Sequence, residues 1–378
     1  MRYLVFLGFL LGHLGANCAN CLGAQAAHAA PAGVDGLSPA DIAKAISAIK
    51  ENFVRPVALS DAEMARATLQ GLVDRLAPGV RLLTGTAGAE AASPFYSEVC
   101  DGSTGYLRLG ELAAANIEKA RQTLTDWSAK GLGAAVLDLR GTPPSSDFET
   151  GAELARLFCA KGTEMFSLNA GKGRVLKPLG RAESTPGQTN PAAPDETQTF
   201  SAEAAPAFNG ILVVLVDGET AEAPEAVAAC LQKCAKALVV GEKTAGRPFQ
   251  YNDVPLDGAT LRVAVAQVIL TDGKEMGENG LSPDIDVGLG AASRQAVMQS
   301  ISTKGVASVV AEHDRPHLNE VALVAGSNPE VDELQQEQAV GKKPRAPLID
   351  RQLQRALDLV TSISIYQAKG RQSPKRGE

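Results

Sequence analysis

The chain has 378 residues, enough for two or three domains at roughly 100 to 200 residues each. Apolar residues make up 45% and charged residues 21%, a globular composition that excludes whole-chain disorder, collagen-like repeats and small disulfide scaffolds. The 43 acidic residues outnumber the 36 basic ones and give a net charge of -7. This balance does not favour a nucleic-acid partner, and we predict none.

The N-terminus has the pattern of an export signal. Arg2 gives a short positive region, residues 4–14 form an apolar run, and Ala27-His28-Ala29 has the small-x-small spacing that a signal peptidase cleaves. The apolar run is shorter than the about 20 residues that a membrane-spanning helix needs. We therefore expect residues 1–29 to be a signal peptide cleaved near Ala29, and the protein to be exported, either periplasmic or secreted.

The cysteines and histidines favour neither a metal site nor a cofactor, and we predict none. Only His313 and His317 would remain after cleavage, and Pro316 between them breaks a helical ligand pair. Four remaining cysteines allow three pairings, so disulfides and buried free thiols both stay open. These cysteines are Cys100, Cys159, Cys230 and Cys234.

The order of elements predicts an α/β core between helical flanks. Capping patterns at Ser38 and Ser60 indicate two helices up to Leu76. Strand and helix patterns then alternate from Gly105 to about Val287, which is typical of α/β proteins. The predicted regions are an N-terminal helical region at 30–95, the core at 96–290 with a loop insertion at 181–198, a C-terminal helical region at 291–366, and a basic tail at 367–378.

Two strand-turn-helix units stand out within the core. The first spans Ala134 to Ala160, and the second spans Ile211 to Cys234. In α/β proteins the turn after such a strand is where chemistry is placed. We therefore expect functional residues in the turns 141–146 and 217–221.

Four short stretches of the core form an ordered set of motifs: Gly105–Leu109, Leu137–Arg140, Val239–Gly246 and Gly280–Ile285. In this order they resemble the carboxy-terminal processing peptidases, also called tail-specific proteases, which are exported serine peptidases with a Ser-Lys dyad. The resemblance implies a tail-specific protease core of the ClpP/crotonase-like type with helical N- and C-terminal flanks. The segment between Leu83 and Tyr106 is too short for the family's PDZ domain, so no PDZ-mediated tail capture is expected.

The same resemblance places substituted residues at the catalytic positions. It assigns Glu222 to the nucleophile position, Arg247 to the base position and Pro144 to the oxyanion hole. Glutamate has no hydroxyl, arginine stays protonated, and proline has no backbone N–H to donate. From the residues alone, Glu222 and Glu225 could instead cap a helix, Glu222 could pair with Arg247, or Arg247 could be solvated.

We predict an exported tail-specific-protease-like protein that is catalytically inactive and binds unfolded or extended polypeptide segments, or an envelope protein. The first alternative is an active endopeptidase with a rearranged dyad of Ser145 or Ser146 with Lys243. An acyl-thioester enzyme of the crotonase type and an assembly protein acting through its helical flanks are further alternatives. Ser146 could also be a plain helix cap.

Overall fold

The computed structural model describes residue 34 and residues 37–53, 60–84, 93–100, 102–170, 197–311 and 348–372. The predicted signal peptide, nearly all of the insertion at 181–198 and the end of the basic tail lie outside these residues. Within them, no helix is both long and apolar enough to cross a membrane. The chain divides into two compact units, Met1–Leu69 and Gln70–Glu378.

Seven helices and eleven strands can be assigned in the described residues. The helices are α1 (Pro39–Asn52), α2 (Asp61–Leu76), α3 (Ala114–Ala129), α4 (Phe148–Arg156), α5 (Ala223–Cys234), α6 (Ala291–Lys304) and α7 (Arg351–Gln372). The strands are β1 (Val80–Thr84), β2 (Tyr96–Cys100), β3 (Thr104–Arg108), β4 (Ala134–Asp138), β5 (Glu164–Asn169), β6 (Thr197–Ser201), β7 (Ile211–Val216), β8 (Leu238–Gly241), β9 (Phe249–Leu256), β10 (Ala259–Leu270) and β11 (Ile285–Asp286).

The first unit contains helix α1 and the start of α2, and both helices begin where the capping patterns predict. The Ser38 Oγ accepts the Asp41 N–H at 3.2 Å, and Pro39 occupies the first turn, where its missing N–H costs nothing. The Ser60 Oγ accepts the Glu63 N–H in the same way. Side-chain caps thus fix the start of each helix.

The core of the second unit is a six-stranded sheet in the order β11-β8-β7-β4-β3-β2. Only β2 pairs antiparallel, with β3; the other neighbours are parallel. Apolar side chains of α3, α4 and α5 cover one face, and those of α6 and α7 cover the other. Because both faces are covered, every residue of β4 is buried, as expected for a parallel strand.

A second, antiparallel sheet of five strands has the order β1-β10-β5-β6, with β9 on the other side of β10. It corrects the predicted helical region at 30–95, because β1 lies inside that region and pairs with β10 from Val80↔Val263 to Thr84↔Ala259. The β1 sequence has no alternation of its own and becomes a strand through this distant partner. The predicted C-terminal helices α6 and α7 pack into the core of the same unit.

Two glycines of the quoted motifs are explained by close approaches. A Cβ at Gly105 would lie 2.3 Å from the ring of Trp127, which covers β3 at this point. Gly246 has φ +68, and a Cβ there would lie 2.0 Å from the Glu278 carbonyl oxygen. Only glycine combines that backbone conformation with that contact.

A buried ion network joins the end of β4 to the start of α7. The Arg140 guanidinium contacts Asp138 at 2.6 Å and Asp350 at 2.8 Å, and all three side chains are fully buried. The Tyr106 hydroxyl donates to Asp138, and Gln352 accepts from Arg140. Burial alone would lower the pKa of Arg140, but the two carboxylates raise it well above its ordinary value.

Replacing Arg140 with leucine should destabilise the second unit strongly, because Asp138 and Asp350 would stay buried without their cation. Breaking one partner of such a network costs about 3–5 kcal/mol of unfolding free energy. Urea denaturation measures the loss. The control is Arg121→Leu, which breaks an exposed pair with Glu118 at 3.4 Å and should cost less than about 1 kcal/mol. Equal losses in the two variants would contradict the stated role of Arg140.

Candidate functional site

The two predicted turns meet beside the N-terminus of α5. Asp217 shapes the turn after β7, because its Oδ1 accepts the N–H groups of Glu219 and Thr220. Its Oδ2 accepts the Gly141 N–H at 3.2 Å and pairs with Arg294 at 3.2 Å. One carboxylate therefore binds the turn after β7 to the turn after β4.

Glu222 occupies a strained backbone position at the N-cap of α5. Its φ of 59° and ψ of -129° lie in a region that non-glycine residues rarely adopt, at a cost of about 1–3 kcal/mol. The Glu222 N–H donates to the Arg247 carbonyl oxygen at 3.1 Å, and the Ala223 N–H donates to the Ser145 carbonyl oxygen at 2.9 Å. These contacts place Glu222 beside both Arg247 and the first turn.

The Glu222 carboxylate is fully buried and has two polar partners. Its Oε1 lies 2.9 Å from Nη1 of Arg262, and its Oε2 accepts the Ser146 hydroxyl at 2.9 Å. The ion pair considered from the sequence, between Glu222 and Arg247, is not formed, because Arg262 on β10 takes the carboxylate instead. Sequence reasoning missed Arg262, whose approach depends on the pairing of distant strands.

Arg247 joins the site through its backbone as well as its side chain. Its N–H donates to Oε2 of Glu225 at 2.9 Å, and its carbonyl oxygen accepts from Glu222. The side-chain Nε is buried and has no hydrogen-bond partner among the described residues. Arg247 is therefore half-buried, whereas a solvated loop residue would be exposed.

Glu225 has a structural role that the capping interpretation did not include. Its carboxylate is buried and accepts the Gly246 N–H at 2.9 Å, the Arg247 N–H and the Thr244 hydroxyl. Burial raises the pKa of Glu225, and these three hydrogen bonds oppose the rise. Glu225 thus fixes the loop 244–247 against α5. The sequence signal for this contact was the motif Val239–Gly246, which includes residues 244–246 of the loop.

The remaining predicted residues lie in the first turn or on the surface. Pro144 is exposed and has no N–H to offer an oxyanion. The Ser145 hydroxyl accepts the Asp147 N–H, while the buried Ser146 hydroxyl donates to Glu222 and accepts the Tyr251 N–H. Lys243 is exposed, and no hydrogen bond joins it to either serine within the described residues.

The polar groups around Glu222 are largely engaged with one another. The Glu222 carboxylate is paired with Arg262 and accepts the Ser146 hydroxyl. The Ala223 N–H is bound to the Ser145 carbonyl oxygen. The site therefore brings the two turns close together around a buried, paired carboxylate.

The four cysteines of the second unit are free thiols in the structure. A hydrogen bond with Cys159, then one with Cys234, raises the pKa of Cys230 well above its usual value. The hydrogen bond with Cys230 lowers the pKa of Cys234 to about 7. Three of the thiols therefore form one cluster on α5 and the segment after α4. In the described part of the chain, no group of acidic, histidine or cysteine side chains is arranged to hold a metal ion.

Comparison with known proteins connects this geometry to a protease family. Curated relatives include the carboxyl-terminal-processing proteases of Picosynechococcus sp., 29% identical over 54% of this chain and 45% of the relative, and of Synechocystis sp., 30% identical over 48% and 37%. The carboxy-terminal processing protease CtpA of Bacillus subtilis is 26% identical over 50% of this chain and 36% of its own length. The chain spans less than half the length of these relatives.

A solved photosystem II D1 C-terminal processing protease has 24% identity and a TM-score of 0.39, covering 60% of this chain and 53% of that chain. Residues 103–287 match the family model described as peptidase family S41. This range includes both strand-turn-helix units, Glu222 and Arg247. Through residues 103–287 of this α/β core, the chain is related to peptidase family S41 and to carboxyl-terminal-processing proteases.

Proposed function

We propose that this protein is a catalytically silent member of its family that binds polypeptide segments without cutting them. The observation that carries the proposal is Glu222 at the nucleophile position, buried and paired with Arg262 at 2.9 Å. A glutamate in that state cannot form the acyl intermediate of a serine peptidase. Arg247 cannot replace a lysine base, because a guanidinium keeps its proton.

Polypeptide binding does not require the catalytic groups. Extended polypeptides can add to the edge of a sheet through backbone hydrogen bonds, which do not depend on a nucleophile. Among the described strands, β1 and β9 pair only with β10, so neither has a strand on its other edge; on β9, the Tyr251 N–H donates to Ser146. Both edges belong to the sheet that supplies Arg262 to the site. The proposed partners are unfolded or extended segments, or an envelope protein.

The rearranged dyad has weaker support as a second function. Ser146 lies 2.9 Å from the Glu222 carboxylate, but its hydroxyl is buried and engaged with both Glu222 and the Tyr251 N–H. Ser145 accepts the Asp147 N–H and has no base beside it in the described part of the chain. Neither serine is joined to Lys243.

Incubation of the protein with an unfolded model protein, followed by mass spectrometry, should detect no new peptides. Binding of the same unfolded model protein should be detectable by light scattering or by a pull-down with that purified model protein. The matched control is the Ser145→Ala/Ser146→Ala double variant. Cleavage by the wild type that disappears in this variant would overturn the proposal and establish a relocated nucleophile.

Restoring the side chains of the dyad should not by itself restore cleavage. The Glu222→Ser/Arg247→Lys variant would still lack an N–H at Pro144, and one missing oxyanion donor costs about a hundredfold or more in turnover. Adding Pro144→Gly supplies that N–H, so we expect the triple variant to cleave at least about a hundredfold faster than the double variant. Equal turnover of the two variants would remove Pro144 from the explanation.

Export of the protein is also proposed, on the pattern of residues 1–29. Expression of the full chain in a bacterial host should give a mature protein outside the cytoplasm whose first residue is Ala30. N-terminal sequencing of that fraction checks this, with Ala27→Arg/Ala29→Arg as a variant whose cleavage should fail. A cytoplasmic protein that keeps Met1 would contradict the proposal.

A further inference from the structure

Three arginines come together around the former nucleophile position. Arg81 on β1 stands directly opposite Arg262 on β10, and Arg262 stands directly opposite Asp253 on β9. These three residues form one row across the sheet, on one face. Arg247 approaches the same place from the loop before β9, through its backbone contact with Glu222.

Two carboxylates of this cluster are held by Arg262, and a third, that of Glu225, accepts the backbone N–H of Arg247 at 2.9 Å. Arg262 contacts Glu222 at 2.9 Å and Asp253 at 2.7 Å, and its guanidinium also lies 5.1 Å from the centre of the Tyr251 ring. Among the described residues, no carboxylate forms an ion pair with Arg81 or Arg247. Of the three guanidinium groups, only that of Arg262 forms an ion pair among the described residues.

The positions of Arg81 and Arg247 are energetically unfavourable in the protein without a ligand. Like charges directly opposite each other on neighbouring strands destabilise a sheet, and this is the arrangement of Arg81 and Arg262. The Arg247 Nε is buried and has no hydrogen-bond partner in the part of the chain that the structure describes. A buried donor without a partner is costly, so both features favour an anion supplied from outside.

The electrostatics of the neighbouring groups agree with this geometry. Burial and the charges of Arg247 and Arg262 lower the pKa of Arg81. Burial and the negative charge of Glu222 raise the pKa of Tyr251 to about 12, so its ring carries a neutral hydroxyl, which donates to the Pro78 carbonyl oxygen at 2.8 Å. The tyrosine therefore supplies no compensating charge near neutral pH.

We propose that Arg81 and Arg247, beside Arg262, bind a carboxylate at the position where the family has its nucleophile. A planar carboxylate matches the fork of N–H donors on a guanidinium, and the Arg247 Nε has no such partner among the described residues. The carboxylate can come from the C-terminus of a bound polypeptide or from a small free acid. The polypeptide source rests on the proposed binding function, and the small-acid source does not.

Isothermal titration calorimetry with matched probes tests this inference. The probes are an N-acetylated alanine pentapeptide with a free C-terminal carboxylate, the same peptide as its C-terminal amide, and sodium succinate. We expect the wild type to bind the acid peptide about tenfold or more tightly than the amide, the range of a charge-assisted hydrogen bond. Arg81→Gln and Arg247→Gln should each abolish this preference.

Arg121→Gln is the matched control, because it also removes one positive charge but lies on the exposed side of α3 with Glu118 as its partner. It should keep the preference for the acid peptide. A preference lost equally in Arg121→Gln would mean that net charge alone attracts the ligand, and the proposal would be overturned. Arg81→Lys keeps the charge and loses the fork, so it should retain only part of the preference.

The outcomes separate this inference from the proposed function. Binding of the unfolded protein with equal affinity for acid and amide peptides, and no binding of succinate, would overturn the arginine site and leave polypeptide binding intact. Succinate binding that is lost in Arg81→Gln, with no peptide bound, would support the arginine site while the polypeptide function fails. No binding of any carboxylate probe would overturn the arginine site.

Thermal unfolding without ligand gives a second, independent measurement. If Arg81 is held for a ligand, Arg81→Gln removes a repulsion with Arg262, and the unfolding midpoint should stay unchanged or rise. A clear fall in the midpoint would mean that Arg81 stabilises the empty protein, which contradicts a role in ligand binding. The measurement also shows whether the variant folds, so a loss of binding can be interpreted.

Discussion

The buried charge of Arg140 is the constraint on which the second unit depends. Its guanidinium binds Asp138 at the end of β4 and Asp350 just before α7, 210 residues further along the chain. A buried cation of this kind is tolerated only when all its partners are in place, so the central sheet and the C-terminal helix form together or not at all. The turn that carries Pro144, Ser145 and Ser146 begins at the next residue, so the network also sets where that turn starts.

Much of the central sheet could be predicted from the sequence, because its strands are continuous apolar runs between clear turns. Strand β7 and helix α5 have the predicted bounds, and the motif residues around Glu222 and Arg247 lie together. The second sheet could not be predicted in the same way. β1 is a strand because of β10, and neither Arg81 nor Arg262 shows in its own segment that it will face Glu222. Pairing of segments so distant in sequence is not visible in local patterns.

Two buried carboxylates hold the backbone frame of the site. Glu225 holds the loop 244–247 by three hydrogen bonds, and Asp217 holds the two turns together. Into this frame the chain brings an ion pair and two further guanidinium groups. The same backbone contacts set the positions of these charged groups. The match to peptidase family S41 therefore describes the backbone scaffold, and the side chains at the site determine its chemistry.

The strained backbone at Glu222 has a consequence for how this site can change over evolutionary time. The unusual φ and ψ are imposed by the hydrogen bonds of the Glu222 and Ala223 N–H groups to Arg247 and Ser145, which involve main-chain atoms only. Any side chain introduced at position 222 inherits the same direction into the site. A substitution at position 222 can therefore exchange one functional group for another without rebuilding the turn, so the side chain here can change independently of the backbone around it.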